Sequence, residues 1–189
     1  TYNRLPSFPS ILPALVALTH LDLSHNPKIA ALPAHISALS NLRCLSAVSC
    51  SIAAIHENFT CLTNLTNVSL ENNPLPPAVR LDTFARLSFA CLDRCAITQL
   101  ATAGSMAMVR LYHNAVSSLT FAPNSSFDLV DLSSNNIRTL PDFAPVTNIL
   151  RLDLSHNSLS TSSLTALPTT LVSLDISDNP FHTFPSSIL

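Results

Sequence analysis

The chain has 189 residues, of which 47% are hydrophobic and 11% are charged, and its formal net charge is −2. So small a charge provides no field that would steer the chain toward nucleic acid or an anionic membrane surface. No apolar run approaches the roughly 20 residues that a membrane-spanning helix requires.

A nine-residue phrase with the pattern LxxLDLSxN recurs along the chain. It stands first at residues 18–26 and returns at 149–157 and 171–179, with degraded copies between them. The intervals between successive copies are 24, 23, 22, 19, 21, 22 and 22 residues. A fixed period of this length predicts a solenoid of stacked repeats. The ninth position of the copies holds, in order, Asn26, Cys50, Asn73, Cys95, Asn114, Asn135, Asn157 and Asn179.

Each copy predicts one short strand followed by a turn. Positions one, four and six are apolar in nearly every copy, as in Leu65, Val68 and Leu70 of the third repeat, and this alternation places one face of the strand inward. Eight such strands at a spacing of roughly 4.8 Å form a parallel sheet about 34 Å across. The Asn of position nine is expected to bond the backbone of adjacent turns. The intervals leave room on the opposite, convex side only for short helical or extended segments.

Eight copies in register resemble the leucine-rich repeat family over essentially the whole chain, and residues 32–42 show the family's LPxxIxxLxxL second half. The resemblance implies an α/β solenoid, a horseshoe with a concave parallel sheet of about eight strands, as a single domain over residues 1–189. A partial repeat at 1–17 precedes repeats that start near residues 18, 42, 65, 87, 106, 127, 149 and 171, the last of them incomplete at Ile188–Leu189. Because neither end shows a polar cap sequence, we expect a fragment of a longer receptor-like or scaffold protein.

The five cysteines are expected to be free thiols. Cys50 and Cys95 hold equivalent inward positions two repeats apart, about 10 Å by the strand spacing, which exceeds the reach of a disulfide. A metal site at Cys91 and Cys95 is disfavoured because one side chain faces outward and the other inward. Four Asn-x-Ser/Thr sequons, at Asn58, Asn64, Asn67 and Asn124, are close to the roughly three expected by chance.

The outward strand positions contain the candidate binding residues. Repeats one, six, seven and eight fill these positions with Asp and Ser, as in Asp153 and Ser155, which we interpret as structural groups that bond to neighbours across the sheet. The middle repeats hold aromatic residues, Met and Arg, the types enriched in interface centres. An alternative is that these repeats have drifted, or that Phe89 and Met108 pack together to shield the sheet. The predicted protein-binding residues on the concave face are Glu71, Phe89, Asp93, Arg94, Met108, Arg110, Tyr112 and His113.

The sequence predicts a binding module that is not an enzyme and uses no cofactor or metal. It contains no phosphate loop, HExxH motif or nucleophile elbow, and its histidines are spread along the solenoid. The expected partner is a protein or peptide; no contact with nucleic acid, or of this segment with a membrane, is expected. In one context the chain is the extracellular part of a signalling receptor in a membrane, favoured by the sequons and the single Lys. The alternatives are a structural spacer and, favoured by the free thiols, an intracellular scaffold or the substrate-binding arm of a kinase or ubiquitin ligase.

Overall fold

A parallel sheet of eight strands dominates the computed structural model, which describes residues 3–161, 164 and 166–181. The predicted ends of the last repeat, at Ile188–Leu189, lie outside the described residues. In chain order the strands are β1 (His20–Asp22), β2 (Ala31–Leu32), β3 (Cys44–Ser46), β4 (Ala54–Ile55), β5 (Asn67–Ser69), β6 (Ala78–Arg80), β7 (Phe89–Cys91), β8 (Gln99–Ala101), β9 (Met106–Arg110), β10 (Ser118–Thr120), β11 (Ser125–Asp131), β12 (Val146–Asp153) and β13 (Ser173–Asp175).

The large sheet has the order β1-β3-β5-β7-β9-β11-β12-β13, so each strand pairs with those of the preceding and following repeats. The register aligns equivalent repeat positions: Leu21 pairs with Leu45, and Val130 with both Val109 and Leu152. These inward side chains are mostly buried and form the core. The predicted solenoid with an eight-stranded parallel sheet is confirmed.

The convex side changes character between the second and third repeats. The early repeats have 3₁₀ helices at Leu12–Ala14, Ala34–Ala38 and Glu57–Cys61, together with the two-stranded sheet β2-β4. The following repeats instead form the three-stranded sheet β6-β8-β10. Ala53 donates its N–H to the Ala30 carbonyl, whereas the equivalent residue of repeat three, Pro76, has no N–H to continue the ladder. The prediction of short helical or extended convex segments is confirmed.

The asparagines of position nine connect adjacent turns of the solenoid. Asn135 donates from Nδ2 to the carbonyls of Leu111, Leu132 and Ser133, and its Oδ1 accepts the Val116 N–H at 2.8 Å. The side chain of Cys95 in the same position donates its thiol to the Leu70 carbonyl at 3.1 Å and the Asp93 carbonyl at 3.3 Å. The amide is therefore both donor and acceptor between repeats, and the thiol replaces only its donor half.

The residue before this Asn or Cys adopts the left-handed conformation in all eight copies, with φ between 51° and 60°. In the first seven copies the backbone N–H of this residue bonds to a carbonyl of the following repeat, as from Ser49 to the Glu71 carbonyl at 2.9 Å. This backbone turn takes the chain out of the sheet, and none of the eight positions is glycine although glycine adopts such φ values most easily. The residues are His25, Ser49, Asn72, Arg94, His113, Ser134, His156 and Asp178.

Candidate protein-binding face

The outward side of the large sheet consists of rows of residues that share a repeat position. The row of position three runs across the strands as His20, Cys44, Asn67, Phe89, Met108, Leu129, Arg151 and Ser173. The row of position five is Asp22, Ser46, Ser69, Cys91, Arg110, Asp131, Asp153 and Asp175. Both rows lie on the concave face. In the middle repeats the row of position three becomes apolar, and the row of position five contains Arg110 beside Asp131.

Three apolar side chains lie next to one another in the row of position three. Phe89 on β7 is in register with Met108 on β9, and Met108 with Leu129 on β11. Met108 and Leu129 are half-buried, while Phe89 remains 39% exposed. We call Phe89, Met108 and Leu129 the apolar row. Leu129 is not among the candidate binding residues predicted from the sequence, because Asp131 and Ser133 of the same repeat match the LxxLDLSxN motif. The apolar side chain at an outward position was the signal that could have identified it.

An ion-pair network adjoins the apolar row. Arg110 lies 2.6 Å from the Asp93 carboxylate and 3.9 Å from that of Asp131, so one guanidinium connects three repeats. Asp93 also accepts the backbone N–H of Tyr112 at 3.0 Å. Burial raises the pKa of Asp93, and the neighbouring Arg110 guanidinium opposes that rise. The network fixes Arg110 beside the apolar row, where its side chain is still 40% exposed.

Glu71 occupies position seven of repeat three, in an unfavourable environment for a charge. Its side chain is half-buried, and its Oε2 is buried with no hydrogen-bond partner among the described residues. Burial raises the pKa of the Glu71 carboxyl, and repulsion from Asp93 adds to this effect. Burial likewise raises the pKa of the Cys91 thiol, with a further contribution from Glu71. The middle of the face is thus partly desolvated.

The turns after β7 and β9 add aromatic and cationic groups at the edge of the face. The Arg94 guanidinium lies 5.6 Å from the centre of the Tyr112 ring, a cation–π distance, and the His113 ring lies 5.8 Å from the same ring. Arg94 and His113 both have left-handed backbone conformations. The structure therefore places all the predicted binding residues in three consecutive repeats, with Phe89 and Met108 in direct register.

The expectation that the Asp and Ser residues of the LxxLDLSxN motif bond across the sheet is confirmed in the first repeat, where the Ser24 hydroxyl lies 2.7 Å from that of Ser46 on the next strand. It is wrong for Asp153 and Asp175, whose carboxylates bond to the Ser two residues later in the same repeat. Oδ1 of Asp153 accepts both the backbone N–H of Ser155 at 2.9 Å and its hydroxyl at 2.7 Å. Asp131 and Asp175 make the same pair of bonds two residues along the chain. A short acidic side chain reaches the backbone two residues ahead more easily than the next strand.

The side chains that could carry other chemistry do not converge. Among the described residues, no group of three or more His, Cys, Asp or Glu side chains could hold a metal ion. All five cysteines are free, with Cys50 and Cys95 buried and Cys61 exposed. In the same part of the chain, no helix is long and apolar enough to cross a membrane.

The stacked strand-and-turn units, the asparagine ladder and the concave parallel sheet define a solenoid of leucine-rich repeats. The Leucine Rich Repeat family model matches residues 148–169 and 170–189. The chain has the leucine-rich repeat fold, whose concave surfaces are generally used for binding.

Solved structures share this fold over most of the chain. The LRIM1/APL1C complex contains a chain with 23% identity and a TM-score of 0.82, matched over 95% of this chain and 34% of its own length. A plant ice-binding protein shows 26% identity and a TM-score of 0.68 over 93% of this chain and 61% of its own. A chain of the TLR13–ssRNA13 complex shows 27% identity and a TM-score of 0.61, matched over 90% of this chain and 27% of its own length. The chain thus spans from about a quarter to three fifths of their lengths. No curated protein sequence matches it.

Proposed function

We propose that the chain recognises a protein or peptide through the centre of its concave face, on strands β7, β9 and β11. The observation that carries this proposal is the exposure of Phe89 beside Met108 and Leu129 on a sheet face that no described segment covers. Exposed apolar patches bordered by polar groups are typical of interaction sites. The Arg110 network and the Arg94–Tyr112 pair supply the Arg and Tyr that are enriched in hot spots.

The concave face is suited to binding because backbone pairing and the buried core keep its outward side chains in place. Phe89, Met108 and Leu129 are held by backbone pairing on both sides of β9, and the core columns beneath them are fully buried. An anchor side chain of a partner would therefore meet a surface that needs little reordering, which reduces the entropic cost of binding.

The proposed context is the ligand-recognition part of a membrane receptor in signalling, on the extracellular side. Asn124 supports it, because this sequon residue is exposed and lies in the turn just before β11. The alternative is an intracellular scaffold or the partner-selecting arm of a larger kinase or ubiquitin ligase, which five free thiols support. Secretion from eukaryotic cells separates the two. A glycan lost in Asn124→Gln supports the first, whereas a chain retained and oxidised in the secretory pathway favours the second.

The binding role can be tested with a displayed library of random peptides selected against the chain. Enriched peptides are remade and their affinities measured for the chain and for Phe89→Ser and Leu129→Ser. We expect each substitution to weaken binding by about 2 kcal/mol, as for hot-spot residues. Val172→Ser is the matched control, because Val172 is 81% exposed but stands outside the apolar row. Peptides that bind the two concave variants as well as the unmodified chain reject this site.

A further inference from the structure

The charges of this chain are distributed unequally between the concave face and the rest of the surface. Positions three, five and seven of the eight repeats hold six carboxylates and only two guanidiniums, a net charge of −4. The whole chain has a net charge of −2, so the remaining residues carry a net charge of +2. The six carboxylates belong to Asp22, Glu71, Asp93, Asp131, Asp153 and Asp175, and the guanidiniums to Arg110 and Arg151.

This negative charge is concentrated beside the apolar row. Asp131 follows Leu129 by two residues on β11, and it is in register with Asp153 on β12, which is in register with Asp175 on β13. Adjacent strands are about 4.8 Å apart, so these three carboxylates form a line about 10 Å long. We call Asp131, Asp153 and Asp175 the acidic row. It continues the row of Arg110 toward the C-terminal end of the sheet.

Two members of the acidic row make no salt bridge among the described residues, although Arg151 stands two residues before Asp153 on β12 and His156 contributes to lowering the pKa of Asp175. Arg110 reaches Asp131 at 3.9 Å, but within the described part of the chain neither Asp153 nor Asp175 takes part in a salt bridge. Their Oδ1 atoms accept the bonds from Ser155 and Ser177, and their Oδ2 atoms have no hydrogen-bond partner there. The bonds from Ser177 lower the pKa of Asp175, so this group is ionised at neutral pH.

Unpaired like charges in register on neighbouring strands are unfavourable, and a bound cationic group would remove the repulsion. The apolar row ends where the acidic row begins, so an occupant that covers both must combine an apolar side chain with positive charge. From Phe89 on β7 to Asp175 on β13 the surface crosses four strand spacings, about 19 Å. An extended peptide covers this distance with about six residues.

We propose that the partner of the concave face is a basic protein segment that places an apolar side chain on the apolar row and Lys or Arg side chains on Asp153 and Asp175. This inference rests on the proposed function, because it specifies the chemistry of the ligand for the same face. The positive charge of the partner would be attracted by the face and not by the rest of the surface, which favours one orientation during association.

The test uses the peptides selected from the random library and a triple variant of the acidic row, Asp131→Asn, Asp153→Asn and Asp175→Asn. Asparagine keeps an Oδ1 that accepts the bonds from the following Ser, so the backbone conformation is retained. We expect the selected peptides to contain an aromatic or aliphatic residue followed by Lys or Arg. The triple variant should bind them about tenfold more weakly, as the sum of partly exposed ion pairs, mainly through slower association.

The matched control removes the same number of charges outside the face, by Glu57→Gln, Asp82→Asn and Asp142→Asn, and should bind as the unmodified chain does. Replacing the Lys of a peptide by norleucine should weaken its binding to the unmodified chain but not to the triple variant. Peptides that depend on Phe89 but are neutral or acidic, or that bind the triple variant equally well, overturn this inference and leave the proposed function standing. A selection without any Phe89-dependent peptide rejects the proposed function and the inference together.

Discussion

Truncation of Asn135 tests the physical role assigned to the asparagine ladder. Asn135 is only 6% exposed, and its amide makes three bonds as a donor, at 2.9, 3.0 and 3.1 Å, and one as an acceptor, at 2.8 Å. In Asn135→Ala the buried Val116 N–H loses this acceptor and the carbonyls lose a shared donor. An unsatisfied buried group costs about 1–3 kcal/mol, so we expect a loss of about 3 kcal/mol in the free energy of unfolding.

A cysteine substitution at the same position can be compared with the alanine variant, because Cys95 shows which bonds a thiol makes there. Because Cys95 bonds the carbonyls but leaves the acceptor role unfilled, Asn135→Cys should restore part of the loss and cost about 2 kcal/mol. The assay is urea unfolding followed by circular dichroism, with comparison of midpoints at equal slope. Asn136→Ala, at the exposed neighbouring residue, should stay within about 0.5 kcal/mol of the unmodified chain. A cost below 1 kcal/mol for Asn135→Ala, or a cysteine variant no better than the alanine variant, would refute the reasoning.

Three further predictions concern single positions. The pKa of the Glu71 carboxyl in the folded chain is raised above its ordinary value of 4.5. The stability that the protonated carboxyl contributes is therefore present below pH 4.5 and is lost as the pH rises through the folded-state pKa. Glu71→Gln should have the same urea midpoint as the unmodified chain at pH 4 and a higher one at pH 8. Ser134→Gly should raise the free energy of unfolding by about 0.5 kcal/mol by relieving the left-handed φ of 54°, whereas Ser158→Gly at an ordinary φ should lower it by a similar amount; equal effects would contradict the role of φ. With a thiol-specific reagent at pH 8, exposed Cys61 should react in the folded chain, while buried Cys95, whose pKa is raised to about 11, should react only after unfolding, as mass mapping of the labelled peptides would establish.

The repeat period alone predicts much of this fold, because the interval between successive repeats determines which residues lie side by side on neighbouring strands. Once the ninth positions are aligned, the pairing of Asp131 with Asp153 follows without further information, and the structure has this register. The same offset places Phe89 beside Met108. Rows across a parallel solenoid are therefore predictable from sequence to the level of individual pairs.

Side-chain ion pairs and the convex hydrogen bonds depend on interatomic distances that the repeat period does not determine. The register of the repeats places Asp131 directly opposite Arg110 on the adjacent strand, yet Arg110 lies closer to Asp93, which is one repeat back in a diagonal position. The break of the convex ladder at Pro76 depends on which N–H the neighbouring repeat needs.

The separation of roles within each repeat predicts that binding and stability can be changed independently. Inward residues, the ninth-position amide and the left-handed turn maintain the solenoid, whereas the outward side chains of positions three and five contribute little to the core. The triple Asp→Asn variant of the acidic row removes like charges in register and keeps the Oδ1 bonds, so it should unfold at an equal or slightly higher urea concentration. Asn135→Ala should instead lower stability, and at temperatures where it stays folded it should leave the affinity of Phe89-dependent peptides unchanged. If the triple variant were strongly destabilised, the acidic row would be part of the framework, and its conformation rather than its charge would explain any loss of binding.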